Sequence, residues 1–71
     1  MTWSEAFGIY IRDRFGEEAQ EKAARWLNVS PSSVSYWCRG TIPREKMRKR
    51  IERKSAGRVP ATLHVATLPA G

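Results

Sequence analysis

The chain has 71 residues, and its 13 Lys and Arg against 7 Asp and Glu give a formal net charge of +6. This length allows one small domain, near the lower limit at which a single hydrophobic core holds a fold unaided. The single cysteine, Cys38, excludes an internal disulfide and a multi-cysteine metal site. No apolar run approaches the roughly 20 residues that span a bilayer, and the N-terminus lacks a signal-peptide pattern, so we expect a cytoplasmic protein.

The positive charge is concentrated in the second half of the chain. Residues 1–38 carry four basic and five acidic side chains, whereas residues 39–71 carry nine basic and two acidic ones. A concentrated charge focuses an electrostatic field in a way that scattered charges do not. The second half is therefore suited to contact a polyanion such as a nucleic-acid backbone.

The first predicted helix starts at the capping-box sequence Thr2-Trp3-Ser4-Glu5 and closes at Phe15-Gly16. Five of its side chains lie near one face at helical spacing: Trp3, Phe7, Tyr10, Ile11 and Arg14. We expect this face to cover the core, because so small a domain needs its aromatic residues inside. The alternative is a partner-binding surface.

Two further helices are predicted on either side of a three-residue turn. The second helix opens at the acidic residues Glu17, Glu18 and Glu21 and ends near Leu27, before Asn28, which tolerates the left-handed conformation. In the third helix, Ser30 caps the start, Pro31 fits the first turn and Gly40 ends it. Ala24 is the expected small contact residue, Val29 fills the turn, and Val34, Trp37 and Cys38 face inward. These features are typical of a helix-turn-helix, although a helical hairpin without a nucleic-acid role could share them.

Residues 20–40 resemble the helix-turn-helix of the phage Cro and repressor superfamily. The following Arg39-Gly40-Thr41-Ile42-Pro43, Ile51-Glu52-Arg53 and Gly57-Arg58-Val59 are similar to the small Cro and YdaS-like branch. The resemblance covers about residues 17–63. The chain departs from the family at Asn28, where the family usually has Gly, and its segment before Gln20 is slightly longer than in the shortest relatives.

The resemblance implies a role for each matching residue. The base-reading positions fall on Pro31, Ser32, Ser35 and Tyr36, with Arg39 at the helix end contacting either a base or a phosphate. Contacts to the DNA backbone are expected from Gln20, Ser33, Thr41, Arg44 and Lys46. Serine hydroxyls discriminate weakly between bases, so Tyr36 is the expected main specificity residue. The bidentate Arg, Asn and Gln contacts that discriminate most strongly are missing from these positions.

A fourth helix is predicted over about residues 43–55, with Met47 and Ile51 inward and a surface dense in Lys and Arg. Residues 58–63 are expected to continue as an extended piece. Residues 64–71 form a tail that could pair as an edge strand, dock in a partner groove or remain loose. His64 alone does not make a metal site. The resemblance implies an outward position for Trp26, which is expected either under the tail or in a subunit interface.

The predicted fold is all-α, a small bundle of four to five short helices containing a helix-turn-helix, with a domain over residues 1–63 and an extended or short-strand C-terminal tail at 64–71. No constellation of catalytic residues is present, so we expect neither an enzyme nor a cofactor nor a metal. The resemblance implies a DNA-binding transcriptional regulator, a Cro-like repressor that binds double-stranded palindromic DNA as a homodimer. Candidates for the dimer interface are the apolar end of the fourth helix, Val59, Leu63 and the tail.

Three other functions are consistent with the same residues. A YdaS-like antitoxin or operon autorepressor would also bind a protein partner, through Trp26 or the tail. A protein-binding adaptor would use its basic helix only for solubility. RNA is a further possible ligand, but nothing resembles the aromatic residues on a sheet that read single-stranded RNA.

Overall fold

The computed structural model describes residues 1–63, which form four helices and no strand. The helices are α1 (Trp3–Phe15), α2 (Ala19–Leu27), α3 (Pro31–Arg39) and α4 (Glu45–Lys54). α1 packs against both α2 and α3, and α2 packs against α3. The prediction of a small all-α bundle containing a helix-turn-helix is confirmed. The predicted C-terminal tail at 64–71, with His64, lies outside the described residues.

The predicted start of α1 is confirmed in detail. The backbone N–H of Glu5 donates to Thr2 Oγ1 at 3.1 Å, and the backbone N–H of Thr2 donates to Glu5 Oε1 at 2.9 Å. This reciprocal pair satisfies two amides that the first helical turn leaves without an intrahelical partner. α1 therefore starts where its local sequence dictates.

Three helices end in the same hydrogen-bonded motif. At the end of α2, Val29 N–H donates to Ala24 O at 2.9 Å and Asn28 N–H to Arg25 O at 3.2 Å. This pairing defines a Schellman motif, in which one residue takes a positive φ. That residue is Asn28 in α2, Gly40 in α3 and Ala56 after α4. The three-residue turn between α2 and α3 follows directly from the first of these motifs.

The core lies between α1, α2 and α3, and it also includes side chains from α4 and the segment after it. Trp3, Phe7, Ile11, Leu27, Val34, Ile51 and Val59 are fully buried there. Ala24 is also buried, while Val29, Trp37, Cys38 and Met47 pack against the core from partly exposed positions. The rings of Trp3 and Phe7 stack with centroids 5.0 Å apart. The predicted core face of α1 is thus confirmed, except that Arg14 is exposed.

Trp26 packs within the chain, on neighbours that neither sequence alternative named. Its ring lies 5.9 Å from that of Tyr10 and 5.5 Å from that of Phe15. The guanidinium of Arg14 and the ammonium of Lys54 lie over the ring, at 5.3 and 5.5 Å from its centroid. These aromatic and cation–π contacts hold the half-buried Trp26 against its own chain.

The segment after α4 folds back onto the helix instead of extending from it. Ser55 Oγ accepts from Val59 N–H at 3.1 Å, and Glu52 Oε1 accepts from Ala61 N–H at 3.3 Å. Arg48 donates to Ala61 O at 3.0 Å and to Pro43 O at 2.7 Å. The expectation of an extended piece over 58–63 is therefore wrong.

Burial of this segment also corrects the proposed dimer interface. Val59 is fully buried in the core of its own chain, so it has no surface to offer a second copy. Leu63 is partly buried against the same core. α4 itself is shorter than predicted, because Pro43 and Arg44 precede it in non-helical conformation.

No helix in the described part of the chain is long and apolar enough to cross a bilayer.

Candidate nucleic-acid interface

The outward face of α3 carries the residues predicted to read bases. Pro31, Ser32, Tyr36 and Arg39 are exposed, and Ser35 is half-buried. Tyr36 is 57% exposed, whereas the aromatic residues Trp3, Phe7 and Tyr10 lie in the core. Positions separated by three or four residues share one helix face, so this set forms a continuous stripe. The nine residues of α3 span about 13 Å, close to the width of the DNA major groove.

The start of α3 is fixed by its predicted cap. Ser30 Oγ accepts from Ser33 N–H at 3.3 Å, and the hydroxyls of Ser30 and Ser33 lie 3.1 Å apart. Pro31 occupies the first helical turn. Ser33 is half-buried, and its hydroxyl hydrogen-bonds the hydroxyl of the cap residue Ser30. A phosphate contact by Ser33 would have to compete with that hydrogen bond.

Gln20 lies beside α3 at the start of α2. Its side chain is exposed and lines the same cavity as Cys38, near the end of α3. Burial raises the pKa of the Cys38 thiol, while the positive charge of Arg12 and the nearby carboxamide of Gln20 partly oppose that increase. The thiol is consequently a protonated structural group in neutral solution. Gln20 lies close to α3, where the resemblance implies a backbone contact.

The N-termini of α2 and α4 have no side-chain cap. Glu18 takes a left-handed conformation before α2, and Arg44 takes an extended one before α4. Neither side chain makes a capping hydrogen bond with the backbone N–H groups of its helix. Helix N-termini present backbone N–H groups and a partial positive charge, which favour anions such as phosphate. The predicted backbone contacts Gln20, Arg44 and Lys46 lie at these two helix starts.

The segment from Arg39 to Lys46 presents the remaining predicted contacts. Arg39, Thr41, Arg44 and Lys46 are all exposed. Thr41 N–H donates to Tyr36 O at 3.0 Å, which closes α3 and fixes the direction of the chain as it leaves the helix. Pro43 is buried, and its carbonyl accepts from Arg48. The segment is therefore anchored in the middle while its cations face solvent.

Most cations of the second half have no acidic partner among residues 1–63. The salt bridge there joins Lys49 to Glu45 at 3.5 Å, and Glu52 accepts from a backbone amide. Both acidic side chains of this half are thus engaged away from Arg39, Arg44 and Lys46. An unneutralised set of cations next to an exposed helix face is the electrostatic pattern of a nucleic-acid interface.

Gln20 also has acidic neighbours. An open cavity of about 860 Å³ beside it is lined by Glu5, Glu18 and Glu21, with the basic side chain of Arg12 also among its lining residues. The acidic neighbours that the sequence places around Gln20 oppose the approach of a phosphate on that side.

Two features of this region were not found by sequence reasoning. Arg48, one of a run of basic residues, has a structural role that depends on Ala61, thirteen positions later. A groove between α3 and α4 is lined by Trp37, Ile42, Pro43, Arg44, Lys46, Met47, Arg50 and Arg53. No local pattern indicates this groove, because its two walls come from different helices.

Comparison with models of known protein families gives no match for this chain. Curated proteins and solved structures likewise give no match.

Proposed function

We propose that this protein is a sequence-specific double-stranded DNA-binding transcriptional regulator, a Cro-like repressor acting in the cytoplasm of a bacterial or phage-infected cell. α3 enters the major groove, and Tyr36 is its main base-reading residue. Gln20, Arg39, Thr41, Arg44 and Lys46 hold the phosphate backbone on either side. Bound at a promoter, the protein represses by occlusion.

One arrangement carries the proposal: the exposed stripe on α3 is followed at once by cations without ion-pair partners. Tyr36 is 57% exposed, and Arg39, Arg44 and Lys46 face solvent next to it. A Tyr that is more than half exposed, on an otherwise serine-rich helix face, contributes little packing energy to the fold. It is suited to touch a thymine methyl with its ring and a base or phosphate with its hydroxyl.

One α3 reads too few base pairs to locate an operator, so we propose a homodimer on a palindrome. Two α3 helices about one helical turn apart would contact successive major grooves on one side of the duplex. The interface does not include Val59, which is buried within each chain.

The test is selection of bound duplexes from a random pool, followed by titration of the selected duplex and a scrambled one. We expect a palindrome bound at least about 10³-fold more tightly than scrambled DNA. Tyr36→Ala should lower this ratio about tenfold, whereas Ile9→Ala, an exposed apolar residue on α1, should not change it. The matched control for Arg39→Ala is Arg25→Ala, which removes the same charge from an exposed position on α2. If no sequence is enriched, base reading by α3 is wrong.

A further inference from the structure

The groove between α3 and α4 has a floor of apolar side chains. Trp37, Ile42 and Met47 line it and are each only partly buried, so they retain apolar surface exposed to solvent. Its volume is about 520 Å³. Aromatic residues and Met are enriched at protein-binding surfaces, and the flexible Met side chain adapts to the shape of a ligand.

The rim of the same groove is entirely basic. Arg44, Lys46, Arg50 and Arg53 line it, and within residues 1–63 none of them makes a salt bridge or a side-chain hydrogen bond. The uncapped start of α4 at Arg44 adds the positive end of a helix dipole. An occupant of this groove therefore needs negative charge at its edges and apolar groups at its centre.

From this combination we infer that the groove binds a short acidic amphipathic helix of another protein. Its apolar side chains, one turn apart, would contact Trp37, Ile42 and Met47, and its carboxylates would pair with the basic rim. A phosphodiester backbone matches the rim but has no apolar group for the floor. Arg44 and Lys46 also belong to the proposed DNA contacts, so the helix and DNA would exclude one another, a consequence that rests on the proposed function.

The test is titration of the full chain, without DNA, with a labelled acidic amphipathic peptide of about 15 residues that carries Leu at i and i+4. A matched peptide of equal charge carries Gln in place of both Leu residues. We expect the Leu peptide to bind at least tenfold more tightly, because burial of one Leu side chain alone accounts for about that factor. Equal binding of the two peptides would overturn the inference, since it would show attraction by charge only.

Variants of α4 and NMR spectra locate the binding site. Arg53→Ala should weaken binding of the Leu peptide about fivefold, whereas Lys49→Ala, which removes the same charge from the exposed surface outside the groove, should change it less than twofold. The peptide should shift the Trp37 indole and Met47 methyl resonances. Equal losses in the two variants, or shifts confined to another face, would overturn the inference. The same holds if duplex DNA, and not the peptide, shifts these two resonances.

Discussion

Asn28 shows how one residue decides where a helix stops. Its φ of 60° and ψ of 46° place it in the left-handed region, inside the Schellman motif that ends α2. An L-residue with a Cβ is strained there, but the side chain of Asn tolerates this conformation and Gly has no Cβ to strain it. The Asn at this position thus meets the same backbone requirement that a Gly would meet.

We predict that Asn28→Ala lowers the free energy of unfolding by about 1 kcal/mol, because Ala tolerates the left-handed region less well than Asn does. Asn28→Gly should leave the stability within about 0.5 kcal/mol, since relief of strain is offset by the greater entropy of the unfolded chain. Urea unfolding followed by Trp fluorescence measures both. Equal stability of the Ala and Gly variants would show that the left-handed conformation does not select this residue.

α4 shows how one element depends on a distant part of the chain. Arg48 ties the helix to Pro43 O before it and to Ala61 O after it, while Glu52 accepts from Ala61 N–H on the next turn. These hydrogen bonds hold the segment that brings Val59 into the core. One of the basic side chains of α4, that of Arg48, therefore stabilises the fold.

We predict that Arg48→Ala lowers the free energy of unfolding by about 2 kcal/mol, because two backbone carbonyls lose a charged donor. The neighbouring exposed variant Lys49→Ala should cost less than about 0.5 kcal/mol, since it removes only a surface ion pair. Chemical denaturation measures both. Faster amide exchange at Val59 and Ala61 in the Arg48 variant would locate the loss, and equal stability of the two variants would contradict the structural role.

The helices show which features the sequence could predict and which it could not. Signals confined to one turn, such as Thr2 with Glu5 and Ser30 with Pro31, correctly placed the starts of α1 and α3. The positions of the stripe on α3 were implied by the resemblance to Cro-type sequences, not by local spacing alone. Arg48 could not be told from Lys49 or Arg50, because its partner at Ala61 is brought close only by the tertiary fold. The return of residues 58–63, and with it the burial of Val59, depends on those same long-range hydrogen bonds.

For the whole molecule, the uneven distribution of charge determines how DNA binding should respond to salt. The second half of the chain has seven more basic than acidic side chains, and Arg39, Arg44 and Lys46 are the exposed cations at the end of α3 and directly after it in the sequence. If each contacts one phosphate, a dimer contacts about six. Release of the corresponding counterions predicts that log Kobs falls with log salt at a slope of about −5.

Arg44→Ala removes one such phosphate contact from each protomer, so the slope should become shallower by about 2 in the dimer. Arg25→Ala removes the same charge from an exposed position on α2, outside the predicted DNA contacts, and should leave the slope unchanged. Titration of the selected duplex at several salt concentrations measures both. A slope of log Kobs against log salt near zero would favour the protein-binding adaptor, whose basic helix serves only for solubility. Equal changes in the two variants would mean that the net charge of the protein, and not a backbone contact beside α3, attracts the DNA.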